Sequence, residues 1–466
     1  MTSASPVVHA DSIAALERAV ADAAPGDSVV LRDGRYDEPC ELRVRGRELA
    51  PVVIRPETPG GVTLHGRLKI SGEHGTLTGF RFTGEGAVRI DGRGLRMTRC
   101  HMSNVQAGKW VRVEAGSQNV EIGYCLFENK QINTALPRDS QLMQIRVRNE
   151  NERHYIHHNH FRDVPRGTTS NGFETLQLIT ERNPVNPAGD RSATIIEHNL
   201  FERCNGESEI VSIKSNGNLI RRNTFRDCEG SLVLRKGDQN VVSSNFFLGV
   251  GSRLSGGVRM QGTDHLIVNN YFQDLGGSAL AMMDGTHDDF YVRVERVRIL
   301  HNTIVRCGTG LTVGINHSKY PNGAIPARCE VAANLFLLEN PQASVVQLVN
   351  DDAPEAWEWR DNIYRGELGI AAVEGLSQAD GPVLTVDEGL ARPTSGTPSV
   401  TRAQAAPHET DHDIFGIVRE ELATIGAIQF ADERSAAGPL YEHHVGPSAG
   451  SSLAPRPPGT PSREAP

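Results

Sequence analysis

The sequence predicts an all-β fold, a single-stranded right-handed parallel β-helix with a short N-terminal capping helix. Three observations point to it. Composition is the first: 47 glycines in 466 residues, with aromatics at only 5%, suit many short strands joined by many turns better than a helical bundle. The second is a recurring phrase, a polar residue that is usually Asn followed by an apolar or aromatic pair. It occurs at Asn159 (HNHF), Asn199 (HNLF), Asn223 (RNTF), Asn245 (SNFF), Asn270 (NNYF), Asn302 (HNTI), Asn334 (ANLF) and Asn362 (DNIY), with Cys100 (RCHM) and Cys125 (YCLF) in the same slot upstream. The third is the spacing of those slots, 25, 34, 40, 24, 22, 25, 32, 32 and 28 residues. A base period in the low twenties with insertions matches one coil of a solenoid whose strands stack at the inter-strand distance, roughly 4.8 Å. Asn at one corner tolerates a left-handed turn and can bond to its equivalents above and below, while the following apolar residue faces the interior.

Along the chain, Asp11 is a candidate N-cap for a helix in which Ile13, Leu16 and Val20 share a face, ending at Pro25-Gly26. Residues 1–26 thus form an N-terminal segment with the capping helix. Strand signals begin at Asp27–Tyr36 and continue without a second convincing helix, so 27–380 reads as the β-helix domain. Beyond it the repeat fades. Residues 381–445 read as a segment packing on the last coils, with Asp413–Phe430 apolar enough to dock on the last coil and hide its open edge. The tail from Gly446 to Pro466 has the composition of disorder.

The formal charge of −9 argues against a general nucleic-acid binder. No stretch is apolar enough to span a membrane, and the first ten residues lack the basic start and apolar core of an export signal. As written, the chain reads as cytoplasmic, or as secreted if an export signal is missing from it. The seven cysteines, Cys40, Cys100, Cys125, Cys204, Cys228, Cys307 and Cys329, are odd in number and lack CxxC pairs, so they read mostly as buried thiols. The sequence leaves the oligomeric state open.

Charge concentrates in CNGESEIVSIKSNGN, residues 204–218. Glu207 and Glu209, two apart, face the same way on an extended strand and could share a hard cation through oxygen ligands; a solvated acidic edge is the plainer alternative. Lys214 stands at an odd offset from Glu209, so a turn or bulge must intervene if both share one surface. Arg235 lies 21 residues further and Arg259 another 24, each interval about one coil. The three cations therefore stack on one side, as a row that calls for anionic ligands, or as a surface ladder paired with Asp227, Glu229 and Asp238.

The runs NGFETLQLI (171–179), NGESEIVSIKSNGNLIRRNTF (205–225), SLVLRKGDQNVVSSNFFLG (231–249) and GGVRMQGTDHLIVNNYF (256–272) resemble polysaccharide lyase family 6, which contains alginate lyases and chondroitinase B. The resemblance is strongest over residues 120–275. It implies a pectin-lyase-like solenoid acting on an anionic polysaccharide or oligosaccharide by β-elimination. It further implies a calcium ion held by Glu207 and Glu209, Lys214 as base, Arg235 as the second catalytic residue, and Arg259 and Lys130 as substrate contacts. The family's third calcium ligand is an Asn one coil upstream, and Gln177 is the residue near that place. Lys236 stands where many alginate lyases have His, which bears on subsite preference. Alginate is the favoured substrate, with dermatan sulfate as the rival. A non-catalytic glycan-binding β-helix is the alternative of another class, and the Glu-Glu-Lys-Arg set speaks against it.

Overall fold

The computed structural model describes residues 6–449, apart from 133–138, 181–190, 288–289, 322, 351–354, 381–382, 388, 402–406, 420 and 431–437. Three long parallel sheets of 14, 12 and 14 strands run the length of the molecule, and each complete coil contributes one strand to each. The strands of the 12-stranded sheet that carry the site are Val111–Val113, Met143–Val147, Leu176–Thr180, Glu209–Lys214, Gly230–Lys236 and Ser255–Met260, paired in that order. The expected parallel β-helix is the fold.

The repeated phrase explains the stacking. Each Asn of the ladder is buried, and its side chain bonds to the next coil: Asn223 Nδ2 donates to Asn245 Oδ1 (3.0 Å) and to Ile196 O (2.9 Å), while Asn223 Oδ1 accepts from Asn199 N and Nδ2 (both 3.0 Å). The left-handed residue, however, is the one before each Asn. His158, His198, Arg222, Ser244, Asn269, His301, Ala333 and Asp361 all have φ between 50° and 57°. That residue reverses the chain, and the reversal points the Asn side chain inward, where it must find partners. Two residues on, Phe127, Phe161, Phe201, Phe225, Phe247 and Phe272 stack coil upon coil with centroids 4.6 to 4.9 Å apart.

At the N-terminal end, Val7–Ala10 pairs with Ser28–Leu31, and the helix Ile13–Asp22 buries Ile13, Leu16 and Val20. Its cap is Ser12, whose hydroxyl accepts from Ala15 N, and not Asp11, which lies one residue too early to reach that N–H.

The C-terminal segment runs along the flank, where Val383 and Ile425 cluster with Leu335 and Leu337 of the late coils. Ile414, Phe415, Ala427 and Ile428 cluster with Phe246, Tyr271 and Val305, apolar residues on outward positions of earlier coils. Arg419, 1% exposed, donates to Asn269 Oδ1 and Gly426 O. The chain then returns toward the N-terminal coils, where Tyr441 covers Arg226, Gly446 N donates to His158 O, and Arg99 donates to Pro447 O and Ala449 O. Packing thus reaches Ala449, past the expected start of the tail; residues 450–466 lie outside the described residues. All seven cysteines are buried and free. Among the described residues no helix is long and apolar enough to cross a membrane.

Candidate active site and cation site

The strand Glu209–Lys214 departs from regular alternation at one point. Glu209 pairs with Ser231 and Val211 with Leu232, so Ile210 is the extra residue of a bulge, and Ile210 and Val211 both enter the core. This shift brings Glu209, Ser212 and Lys214 onto the outward face together, as the odd offset requires. It falls at Ile210, between Glu209 and Lys214. A second shift between Ile213 and Lys214 places Lys236 opposite Lys214, with Arg235 beside them.

Carboxylate oxygens of Glu174, Glu207 and Glu209 lie within 4.8 Å of one another. Glu174 is buried and accepts from Gln141 Nε2 (2.7 Å), Gln177 Nε2 (2.7 Å) and Lys214 Nζ (3.3 Å). Burial pushes its carboxyl up, but Lys214 and the two amides outweigh it and hold the group below the usual range. Glu209 accepts from Ser212 Oγ (2.6 Å) and Arg259 Nη2 (2.7 Å), with Arg235 Nε at 3.5 Å. Glu207 differs from both. Burial, then the charges of Glu174 and Glu209, raise its carboxyl to about 9, and its Oε1 is buried without a hydrogen-bond partner.

Three converging carboxylates, one with an orphaned oxygen and a suppressed charge, fit a hard cation, which would supply the missing partner and let Glu207 ionise. The residues present therefore suit an oxygen-ligated metal ion. In this geometry the carboxylate that stands with Glu207 and Glu209, and could serve such an ion as third ligand, is that of Glu174. Gln177 lies one step away, because its Oε1 accepts from Gln144 Nε2 (2.7 Å) and its Nε2 is spent on Glu174. The strand register brings Glu174 there: Leu176 pairs with Val211, and the same offset of 35 residues carries Glu174 to Glu209.

Around this triad stand Lys214, Arg235 and Arg259, each tied to one of its acids. Arg235 also donates to Gln261 Oε1 (3.0 Å) and lies under Tyr291, 4.5 Å from the ring centroid, with Phe290 at 5.3 Å. Lys236 is 5.3 Å from the Phe290 ring, and burial, then Arg235 and Lys214, lower its ammonium. Neither aromatic was singled out from sequence, since a loop residue has no period to betray it. Lys130 is placed differently from a groove contact. It is 2% exposed, donates to Ser140 O and lies over Phe173, and burial lowers its ammonium to about 7. Asp227, Asp238 and Glu229 do not pair with the three cations; Glu229 binds Arg166 instead.

The comparisons accord with this geometry. The chondroitinase B family profile matches residues 10–405. Among solved structures, a mannuronic-acid-specific polysaccharide family 6 lyase from human gut microbiota is 26% identical with a TM-score of 0.69, over 81% of this chain and 91% of that one. The alginate lyase AlyGC is 25% identical with a TM-score of 0.72, over 93% of this chain and 60% of that one. An alginate lyase solved with a trisaccharide, at 21% identity and a TM-score of 0.68, covers 85% of this chain and 92% of its own, and shares the fold. No curated protein matches the chain. With a family profile spanning most of the β-helix, the chain belongs to the chondroitinase B family and is a polysaccharide lyase of family 6.

Proposed function

We propose that this lyase cleaves a uronate-containing polysaccharide, alginate in the first instance, at the groove over Glu174, Glu207, Glu209, Lys214 and Arg235. The observation that carries the reading is the convergence of a lysine and two arginines on one carboxylate triad. Binding modules have no need of such a set, whereas β-elimination needs each part.

Removing the C5 proton of a uronate builds charge beside a carboxylate that is already negative, so charge must be neutralised there. Calcium bound by Glu207, Glu209 and Glu174 would supply that neutralisation as a Lewis acid. Lys214, in its neutral amine form, takes the C5 proton, and the ammonium so formed returns a proton, directly or through water, to the departing C4 oxygen. Arg235 cannot readily give up a proton, so its part is to stabilise charge on the departing C4 oxygen by hydrogen bonding. Arg259 orients the substrate carboxylate, and Lys236 borders the same surface. The product carries a 4,5-unsaturated uronate at its new non-reducing end.

Ultraviolet absorbance of that unsaturated end, followed in parallel on poly-mannuronate, poly-guluronate, dermatan sulfate and pectate, tests the reading. Absorbance growth on the alginate blocks is expected. Growth on dermatan sulfate alone would transfer the assignment to the rival substrate, and growth on none of the four would overturn the lyase reading of the site.

A further inference from the structure

Upstream of the triad the same sheet carries a cluster of arginines that the reaction does not use. On its outward face Arg89 pairs in register with Arg112, Arg112 with Gln144, Gln144 with Gln177, and Gln177 with Ser212. In the neighbouring row Arg146 pairs with Ile179, and Ile179 with Lys214. One acid gathers the three arginines: Glu114 lies 2.7 Å from Arg89 Nε, 2.9 Å from Arg112 Nε and 3.8 Å from Arg146 Nη1. Glu114 has a side chain only 9% exposed, while those of Arg89, Arg112 and Arg146 are 55%, 36% and 31% exposed.

The arrangement is lopsided in charge. The strands Val88–Arg93, Val111–Val113 and Met143–Val147, with Glu114 directly after the second, hold Arg89, Arg93, Arg112 and Arg146 against Asp91 and Glu114, four positive charges to two negative, in a protein whose formal charge is −9. Glu114 draws Arg89 and Arg112 together by charge, its Oε1 at ion-pair distance from both Nε atoms without hydrogen-bond alignment, and their terminal Nη donors are left to an incoming anion. Held this way, an arginine loses less freedom on binding a carboxylate than a mobile surface lysine does.

We infer that Arg89, Arg112 and Arg146, gathered on Glu114, form a distal subsite for the carboxylates of a polyuronate chain lying along the sheet. The inference rests on the lyase reading of the triad. Arg112 stands three strand spacings from Ser212, roughly 14 Å, a span of about three sugar rings. Each ring of a polyuronate carries a carboxylate, so a chain threaded over Lys214 presents anions to the cluster only when it is several rings longer than the minimal substrate. The polar floor between, Gln144 and Gln177, lies in the same row. The enzyme should therefore hold polymers more tightly than short oligomers, by contacts remote from the cleaved bond.

The test measures binding without turnover. The Lys214→Met protein is titrated with a uronate trimer and a uronate octamer, with and without Arg89→Gln/Arg112→Gln. We expect the double substitution to weaken octamer binding at least fivefold more than trimer binding, and the difference to shrink at high salt. A smaller ratio, or no octamer binding at all, overturns the subsite. Because leaving Glu114 short of partners can unsettle the fold, Arg89→Lys/Arg112→Lys and the single, most exposed Arg89→Gln are measured beside it, with melting curves. The lysine pair should recover octamer binding in part, and no recovery in a folded lysine pair counts against the proposal. Absence of uronate cleavage by the unsubstituted protein would sink the lyase reading, while the octamer-to-trimer ratio judges the subsite on its own.

Discussion

Asn223→Ala is the most informative single change to the scaffold, because Asn223 belongs to the coil that carries Glu209 and Lys214. Its side chain makes four hydrogen bonds, two donated by Nδ2 and two accepted by Oδ1, all in the interior. At about 1 kcal/mol net for each bond, their loss costs about 4 kcal/mol. Asn199 N then loses its only side-chain acceptor, which adds about 1 kcal/mol or more for an orphaned buried donor. The neighbouring Asn199 Nδ2 is less affected, since it keeps Ile156 O and Glu197 O. A total of about 4–6 kcal/mol is a large part of the stability of an ordinary domain. In a solenoid it should be felt locally, as opening of the coils on either side. Hydrogen exchange over residues 195–226 reads it directly: protection should fall by roughly three to four decades. Arg222→Gly is the contrasting change. Arg222 has φ 52°, a conformation glycine adopts freely, so protection there should be kept or modestly raised. A loss below about 1 kcal/mol in Asn223→Ala, or an equal loss in both variants, would refute the idea that the ladder holds the coils in register.

Other consequences concern the site. Lys214→Met should abolish nearly all lyase turnover and leave melting close to that of the unsubstituted protein, since its ammonium is partly exposed and, among the described residues, pairs with Glu174; retained turnover would remove Lys214 as base. Chelation should lower turnover and calcium should restore it, and calcium at a hundred times its dissociation constant should stabilise the fold by about 2.7 kcal/mol. Glu207→Gln should blunt that stabilisation, and an undiminished calcium effect on melting would separate Glu207 from the ion. Lys130 makes stability pH-dependent. Its folded-state value, about 7, lies below the 10.5 of an unfolded lysine, so between those limits the unfolded chain binds the extra proton and stability rises with pH. Lys130→Met should therefore gain most, relative to the parent, at pH 7 and below, and the gain should vanish above pH 10.5; a pH-independent difference in unfolding free energy would contradict this.

The solenoid was legible because its physics is periodic. A ladder of Asn and a stack of Phe recur once per coil, and recurrence is what a linear sequence displays best. Glu209, Lys214, Arg235 and Arg259 could be put on one face by counting coils and allowing for bulges. Three things needed the fold itself. Glu174 joined the triad through a register that an insertion hides. Tyr291 came to lie on Arg235 from a loop without a repeat, and Lys130 turned inward to Ser140 O. Spacing decides which coil a residue occupies, but whether its side chain meets solvent, a carboxylate or the core depends on bulges and neighbouring coils, and those are settled only when the strands stack.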